Sequence, residues 1–272
     1  MAQPLLAPVA TDAPAAPALH LRNADLDRRA LREARVDLAA CFRAAAALDL
    51  SEGVCNHLSA LVPGRDDLML VNPLGLAFEE VTASSLLVCD VHGRVLEGHG
   101  APEATAFHIH ARLHARHGRP RAVAAFHTHM PHATALAITD GEPLVFAGQT
   151  SLRFWGRVAV DRGYNGLALD GAEGDRIAEA MGETADVVFL RSHGVVVLGR
   201  SVAEAWDDLY YLERVARTQV LAQSTGRPLT PIPEEVARRT AAQIRDEAAV
   251  SARLHLDSVK RRLAREQPDF LD

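Results

Sequence analysis

The chain has 272 residues, 48% hydrophobic and 24% charged, an ordinary balance for one large globular α/β domain. Its formal net charge of −6 argues against a nucleic-acid surface, which needs clustered Lys and Arg. No apolar run reaches membrane-spanning length. Three scattered cysteines, Cys41, Cys55 and Cys89, offer no disulfide framework and suit a reducing, cytoplasmic location.

Residues 1–22 are Ala/Pro-rich and read as a disordered arm. Pro4, Pro8, Pro14 and Pro17 break the apolar start, and no basic segment precedes it, so a signal peptide is not expected. A domain over 23–228 and a helical extension over 229–272 complete the expected organisation. From Asn23 to Leu50, Leu26, Leu31, Leu38, Phe42 and Ala45 share a broad helical face, with Asn23 or Asp25 as candidate caps. Leu58–Val62 and Leu68–Val71 read as strands around the turn signal at Pro63-Gly64, and Leu86–Val91 with Arg94–Leu96 as a hairpin. Thr82 to Ser85 reads as a short helical turn. Further on, 102–117 is a predicted helix, Ala122–His129 a strand, Pro131–Ile138 a helix opened by proline, and Gly171–Met181 a helix. Asp186–Leu190 and Val195–Leu198 are predicted strands, Ser201 caps a long helix to about Gln223, and the chain from Pro231 is helical. Strands in hairpins mixed with helices predict an α/β three-layer sandwich, its central, mainly antiparallel sheet covered by helices on both faces.

The segment Ala122-Val-Ala-Ala-Phe-His-Thr-His-Met-Pro-His132 carries the chemistry. Strand side chains alternate, so His127 and His129 project to the same side and can share one cation at about 2.0–2.1 Å per bond. An H-x-H pair alone is also compatible with two histidines that only satisfy hydrogen bonds. A third candidate ligand, His193, follows another apolar strand in Leu190-Arg-Ser-His-Gly194. Three protein ligands leave a position open for substrate or water.

These residues resemble the class II aldolase/adducin family over about residues 30–225. The resemblance rests on Asn56-His-Leu-Ser59 after Gly53, Asn72-Pro-Leu-Gly75, Ala125-Phe-His-Thr-His129 with Ala133-Thr-Ala-Leu136, and Leu190-Arg-Ser-His-Gly194. It implies one divalent metal ion per subunit held by His127, His129 and His193, zinc first and iron(II) as the alternative. It also implies a small-molecule substrate and a homotetramer, with no nucleic-acid or membrane partner.

The chain departs from the sugar-phosphate aldolases that it resembles. Leu74 stands where they carry a hydroxyl residue, and Ala101-Pro102-Glu103-Ala104 replaces their Pro-Ser-Ser-Glu, so the usual catalytic acid falls at Ala104. A carboxylate at Glu103 would repel a phosphate dianion, which points to a substrate without phosphate. Glu103 and Tyr164 are the candidate catalytic groups, and Asn56, Gly75 and His132 the candidate substrate-binding residues. His132 is also a candidate orienting partner for a ligand, and Gln149, Arg153 and Trp155 are weaker substrate contacts. A helix N-terminal carboxylate is the structural alternative for Glu103, and packing is the alternative for Tyr164.

The expected activity is a metal-dependent lyase that breaks a carbon–carbon bond, by aldol cleavage or decarboxylation, in a 2-oxo or hydroxy-carbonyl compound. If Glu103 joined two of the histidines, a facial triad would suit a non-haem iron oxygenase acting on an aromatic 2-oxo acid. The resemblance to adducin also allows a non-enzymatic scaffold.

Overall fold

The computed structural model describes residues 26–166 and 171–272; the Ala/Pro-rich arm and the candidate caps Asn23 and Asp25 lie outside them. The first helix, α1, spans Arg28–Ala47, shorter at both ends than its periodicity predicts. Asp27 caps it, its side chain accepting from the Arg29 and Ala30 amides. Such a cap satisfies two otherwise orphaned donors, worth about 1 kcal/mol.

Among the described residues eight strands follow the predicted order with one addition: β1 His57–Leu61, β2 Leu68–Val71, β3 Leu87–Asp90, β4 Val95–Glu97, β5 Ala124–Thr128, β6 Val158–Asp161, β7 Val187–Leu190 and β8 Gly194–Gly199. They form a single sheet in the order β4-β3-β2-β1-β5-β8-β7-β6. Every pairing is antiparallel except β6 with β7. The helices are α2 Ala104–His117, α3 Pro131–Ala137, α4 Gly171–Met181, α5 Val202–Gln223 and α6 Glu234–Glu266. Ser201 caps α5 as expected, accepting from the Glu204 amide. The predicted helical turn at Thr82 to Ser85 is instead a hydrogen-bonded turn in which the two hydroxyl side chains accept from each other's amides. The neighbouring 3-10 helix covers Phe78–Glu80.

The sheet is covered on both faces, which makes it the expected three-layer sandwich. Alternation along β8 shows why. Val195 and Val197 turn to one face, against Leu38 and Phe42 of α1 and Trp206, Leu209 and Leu212 of α5. Val196 and Leu198 turn to the other, against Ile109 and Leu113 of α2 and Ile177 and Met181 of α4. A strand buried on both sides reads as a continuous apolar run, as Val195–Leu198 does.

Helix α6 lies across the α1–α5 face and buries Ala252, Leu256, Val259 and Leu263 there. Lys260 and Arg253 both reach Asp37 of α1, at 2.6 and 2.7 Å, while His255 holds Asp207 of α5 at 2.7 Å. The chain end is tied back as well: the Ala83 amide donates to Phe270 O and the Ser84 amide to Asp272 O. Among the described residues no helix is long and apolar enough to cross a membrane.

Candidate metal centre

Because β5 and β8 run antiparallel as neighbours, with His127 opposite Val196 and Thr128 opposite Val195, the end of β5 and the start of β8 share one sheet edge. The β7–β8 turn therefore delivers His193 to the place that His129 reaches just beyond β5. Ser192 takes a left-handed φ of 61° to make that turn. Position 194 has no room for a side chain. A Cβ there would stand 2.7 Å from His129 Cδ2 and 2.7 Å from Thr128 O.

The three imidazoles meet as the sequence predicts. Ring centroids lie 4.9 Å apart for His127–His129, 4.8 Å for His127–His193 and 4.9 Å for His129–His193. One nitrogen from each ring falls within 4.8 Å of the others. Burial pushes His127 well below the ordinary imidazole value, helped by His193 and His129. Burial, then His129 and Arg176, push His193 down to about 4. Both are neutral at pH 7, with lone pairs to give.

The tautomers test the fit of a cation. His127 Nδ1 lies 2.9 Å from Val195 O, a carbonyl that can only accept, so its proton is on Nδ1. His129 Nδ1 lies 2.5 Å from the Glu52 carboxylate and donates likewise. In the neutral rings that a metal requires, each Nε2 is the free lone pair, and the two Nε2 atoms face each other at 3.2 Å. Two acceptors at that distance repel unless a positive charge lies between them, so the arrangement fits a divalent cation.

Glu52 is an orienting residue that sequence reading missed, since nothing in its spacing relative to the histidines marks an acid in the preceding loop. It is placed by Asn56, whose Oδ1 accepts from the Glu52 amide at 2.8 Å and from the His129 amide at 3.3 Å. Carboxylates behind ligating imidazoles raise ligand basicity and typically matter by ~10–100-fold in metal affinity. Glu52→Gln is therefore expected to weaken zinc binding about 10-fold, measured by competition with a chromogenic chelator. Unchanged affinity would reduce Glu52 to a surface contact.

The other predicted residues are placed as follows. His132 does not orient a ligand. Its Nδ1 pairs with Glu213 of α5 at 2.6 Å, and the same carboxylate takes the His132 and Ala133 amides that open α3. It lines a separate cavity of about 200 Å³ with Leu50, Tyr210, Arg214 and Arg217. Gly75 lies in the loop after β2 with φ 89°, next to Leu74, whose amide donates to Ala101 O and joins the two loops. Tyr164 is 51% exposed with its ring 6.4 Å from that of His193. Arg153 pairs with Asp207, away from the triad, and Trp155 packs on Phe146.

Among the described residues the cluster holds His127, His129 and His193 without Glu103, so Glu103 makes no two-histidine, one-carboxylate set with them. It caps α2: Oε2 accepts from the Ala106 amide at 2.8 Å and from the Thr105 hydroxyl. The one-residue offset from Ala104 is the cause, because Glu103 sits in extended conformation before the first helical residue. Its nearest imidazole is His57 Nε2, at 3.7 Å. That distance would suit an ion pair, but burial pushes His57 down to about 3, so the ring is neutral. His57 stands opposite His127 in the β1–β5 register and is 3% exposed.

The sequence profile described as Class II Aldolase and Adducin N-terminal domain matches residues 36–220. A putative aldolase class 2 protein of Caulobacter vibrioides is 33% identical over 246 residues, 88% of this chain and 92% of that one. Alpha-adducin of Rattus norvegicus is 32% identical over 196 residues, 71% of this chain and 26% of alpha-adducin. An aldolase II superfamily protein from Pseudomonas syringae has a solved structure that superposes with TM-score 0.83 at 33% identity, covering 89% of this chain and 96% of that one.

Proposed function

This chain belongs to the class II aldolase and adducin N-terminal domain family, and from that premise we propose that it is a metal-dependent lyase. In this reading it cleaves a carbon–carbon bond, by aldol cleavage or decarboxylation, in a non-phosphorylated 2-oxo or hydroxy-carbonyl compound. The observation that carries it is the pair of facing Nε2 atoms of His127 and His129, 3.2 Å apart beside His193.

His127, His129 and His193 would hold one cation per subunit, zinc first. When bound, it supplies Lewis-acid polarisation of a carbonyl and an adjacent hydroxyl oxygen, where charge develops as the bond breaks. Glu52 and the Val195 carbonyl keep two of the imidazoles in the tautomer that presents Nε2. Tyr164, exposed near His193, is the proton donor of this reading. Its phenol would reach a neighbouring subunit's substrate if the assembly is the tetramer that the resemblance implies. The loss of both serines in Ala101-Pro102-Glu103-Ala104, with Leu74 in the facing loop, supports a substrate without phosphate.

The test is elemental analysis of protein purified without added metal, then a screen of 2-oxo acids and hydroxy-carbonyl compounds with and without oxygen. The expected result is one metal equivalent per subunit and cleavage that is lost to chelation and indifferent to oxygen. Oxygen consumption during turnover would replace the lyase with an iron oxygenase. The similarity to alpha-adducin supports a scaffold as the second reading, and a protein with no affinity for any divalent cation would select it.

A further inference from the structure

Beside the triad, between β1 and α2, lies a group of buried polar side chains that metal binding does not use. One carbonyl orders them. Ala122 O accepts from His114 Nδ1 at 2.7 Å, so the His114 proton is on Nδ1 and its Nε2 is a lone pair. Burial pushes His114 down to about 4, so the ring stays neutral. Ser59 Oγ lies 2.7 Å from that Nε2 and 3.4 Å from Ala125 O; the shorter contact takes its single hydrogen. Ser59 Oγ must then accept from His110 Nδ1, at 2.6 Å. The series ends at His110 Nε2, a lone pair with no partner in a residue that is 0% exposed.

Two neighbours are also unfinished. Both ring nitrogens of His57 lack a partner, although the residue is 97% inaccessible by its 3% exposure, and its ring centroid lies 6.3 Å from that of His110. Glu103 spends Oε2 on capping α2, and its Oε1 makes no hydrogen bond among the described residues. Buried polar atoms without partners are costly, and the three ring nitrogens of His57 and His110 together mark a place for a bound group. Their chemistry specifies which. A neutral His57 offers one N–H and one lone pair; His110 Nε2 and Glu103 Oε1 offer only lone pairs. The set is rich in acceptors and holds one donor. A phosphate or carboxylate, which can only accept, would face two acceptors. A hydroxyl accepts from the His57 N–H and donates to one of the two acceptors, leaving the other for a water.

We propose that His57, Glu103 and His110 form a subsite for a substrate hydroxyl beside the three metal-binding histidines. The proposal rests on the metal-dependent reading above and assigns the part of the substrate that lies next to the chelated oxygens. Register places it there, since His57 faces His127 across β1 and β5. Glu103 contributes as a hydroxyl acceptor, and Ser59 keeps His110 in the tautomer that presents Nε2.

Zinc-loaded full-length protein, titrated calorimetrically with hydroxamates, tests this without knowledge of the natural substrate, because a hydroxamate anchors on zinc through its two oxygens. Glycolohydroxamate and glycerohydroxamate add one and two hydroxyls to such an anchor, and acetohydroxamate adds none. At least one hydroxylated probe is expected to bind ~10-fold tighter than acetohydroxamate, about the value of one good hydrogen bond. In Glu103→Gln and His57→Asn that preference should fall to about 2-fold or less, with the zinc equivalent and the acetohydroxamate affinity kept. Equal binding of all three probes by the unaltered protein would overturn the subsite, whatever the variants do. So would a hydroxyl preference that survives in both variants, or tighter binding of phosphoglycolohydroxamate than of glycolohydroxamate. Failure of the protein to take up zinc would be seen before any titration and would overturn the metal reading itself.

Discussion

Replacing His127 with alanine is expected to lower zinc affinity roughly a thousandfold and to leave the purified protein without metal. The size follows from the donor set. Zinc binding at protein sites is worth ~10–16 kcal/mol over four ligands, so one of three protein ligands carries roughly 4 kcal/mol, close to a factor of a thousand. His127 is the most deeply buried of the three, and its loss would also free the Val195 carbonyl. His132→Ala is the control, for its imidazole is bound to Glu213 and not to the triad. That variant should keep its metal equivalent. Elemental analysis and chelator competition on both proteins decide the matter, and a His127→Ala protein with full zinc affinity would remove the centre from the argument.

Acid should unfold this protein well before its carboxylates titrate. His110 and His114 are both buried, with His110 Nδ1 and both nitrogens of His114 held by Ser59 and Ala122, and burial holds their pKa values down, His114 at about 4 and His110 well below the usual value. The native state therefore refuses protons that the unfolded chain accepts near pH 6.5. Their contribution to stability is complete above pH 6.5 and falls as pH drops from there toward 4, where His114 begins to titrate in the native state. Each group costs about 1.4 kcal/mol per pH unit in that window, so the pair gives a slope of roughly 3 kcal/mol per pH unit. Urea unfolding at intervals between pH 7 and 4.5 measures it. A flat profile across that range would mean that the two imidazoles are solvated rather than enclosed.

The fold was legible wherever one physical signal dominated. Long apolar runs bounded by turn residues gave β2 and β7 almost to the residue, and Ser201 marked the start of α5 through capping chemistry. Strand β6 was not anticipated. It is an edge strand of four residues, only partly buried along Val158, Ala159 and Val160, so it lacks both the length and the apolar continuity that reveal a strand. The triad could be predicted because His127 and His129 lie two apart at the end of an apolar strand, and the resemblance to the class II aldolase/adducin family joined His193 to them. Its supports could not. Glu52 reaches His129 from a loop 77 positions away, and Ser59, His110 and His114 meet only because α2 packs over β1. His132 was misplaced because nearness in sequence to His129 carries no direction: Pro131 opens a helix there and turns the imidazole toward α5.

The family match ends at residue 220, but the cooperative unit does not. Helix α6 and the final turn shield side chains of α1 and α5 that would otherwise meet water, and three side-chain contacts of α6 end on just two aspartates, Asp37 and Asp207. A fragment trimmed to the shared boundaries would thus carry an uncovered oily flank, and Asp37 would lose both of its cationic partners on α6. Such a piece should be recovered as aggregate, and the edge that gathers the three histidines would be lost with it although all three were present.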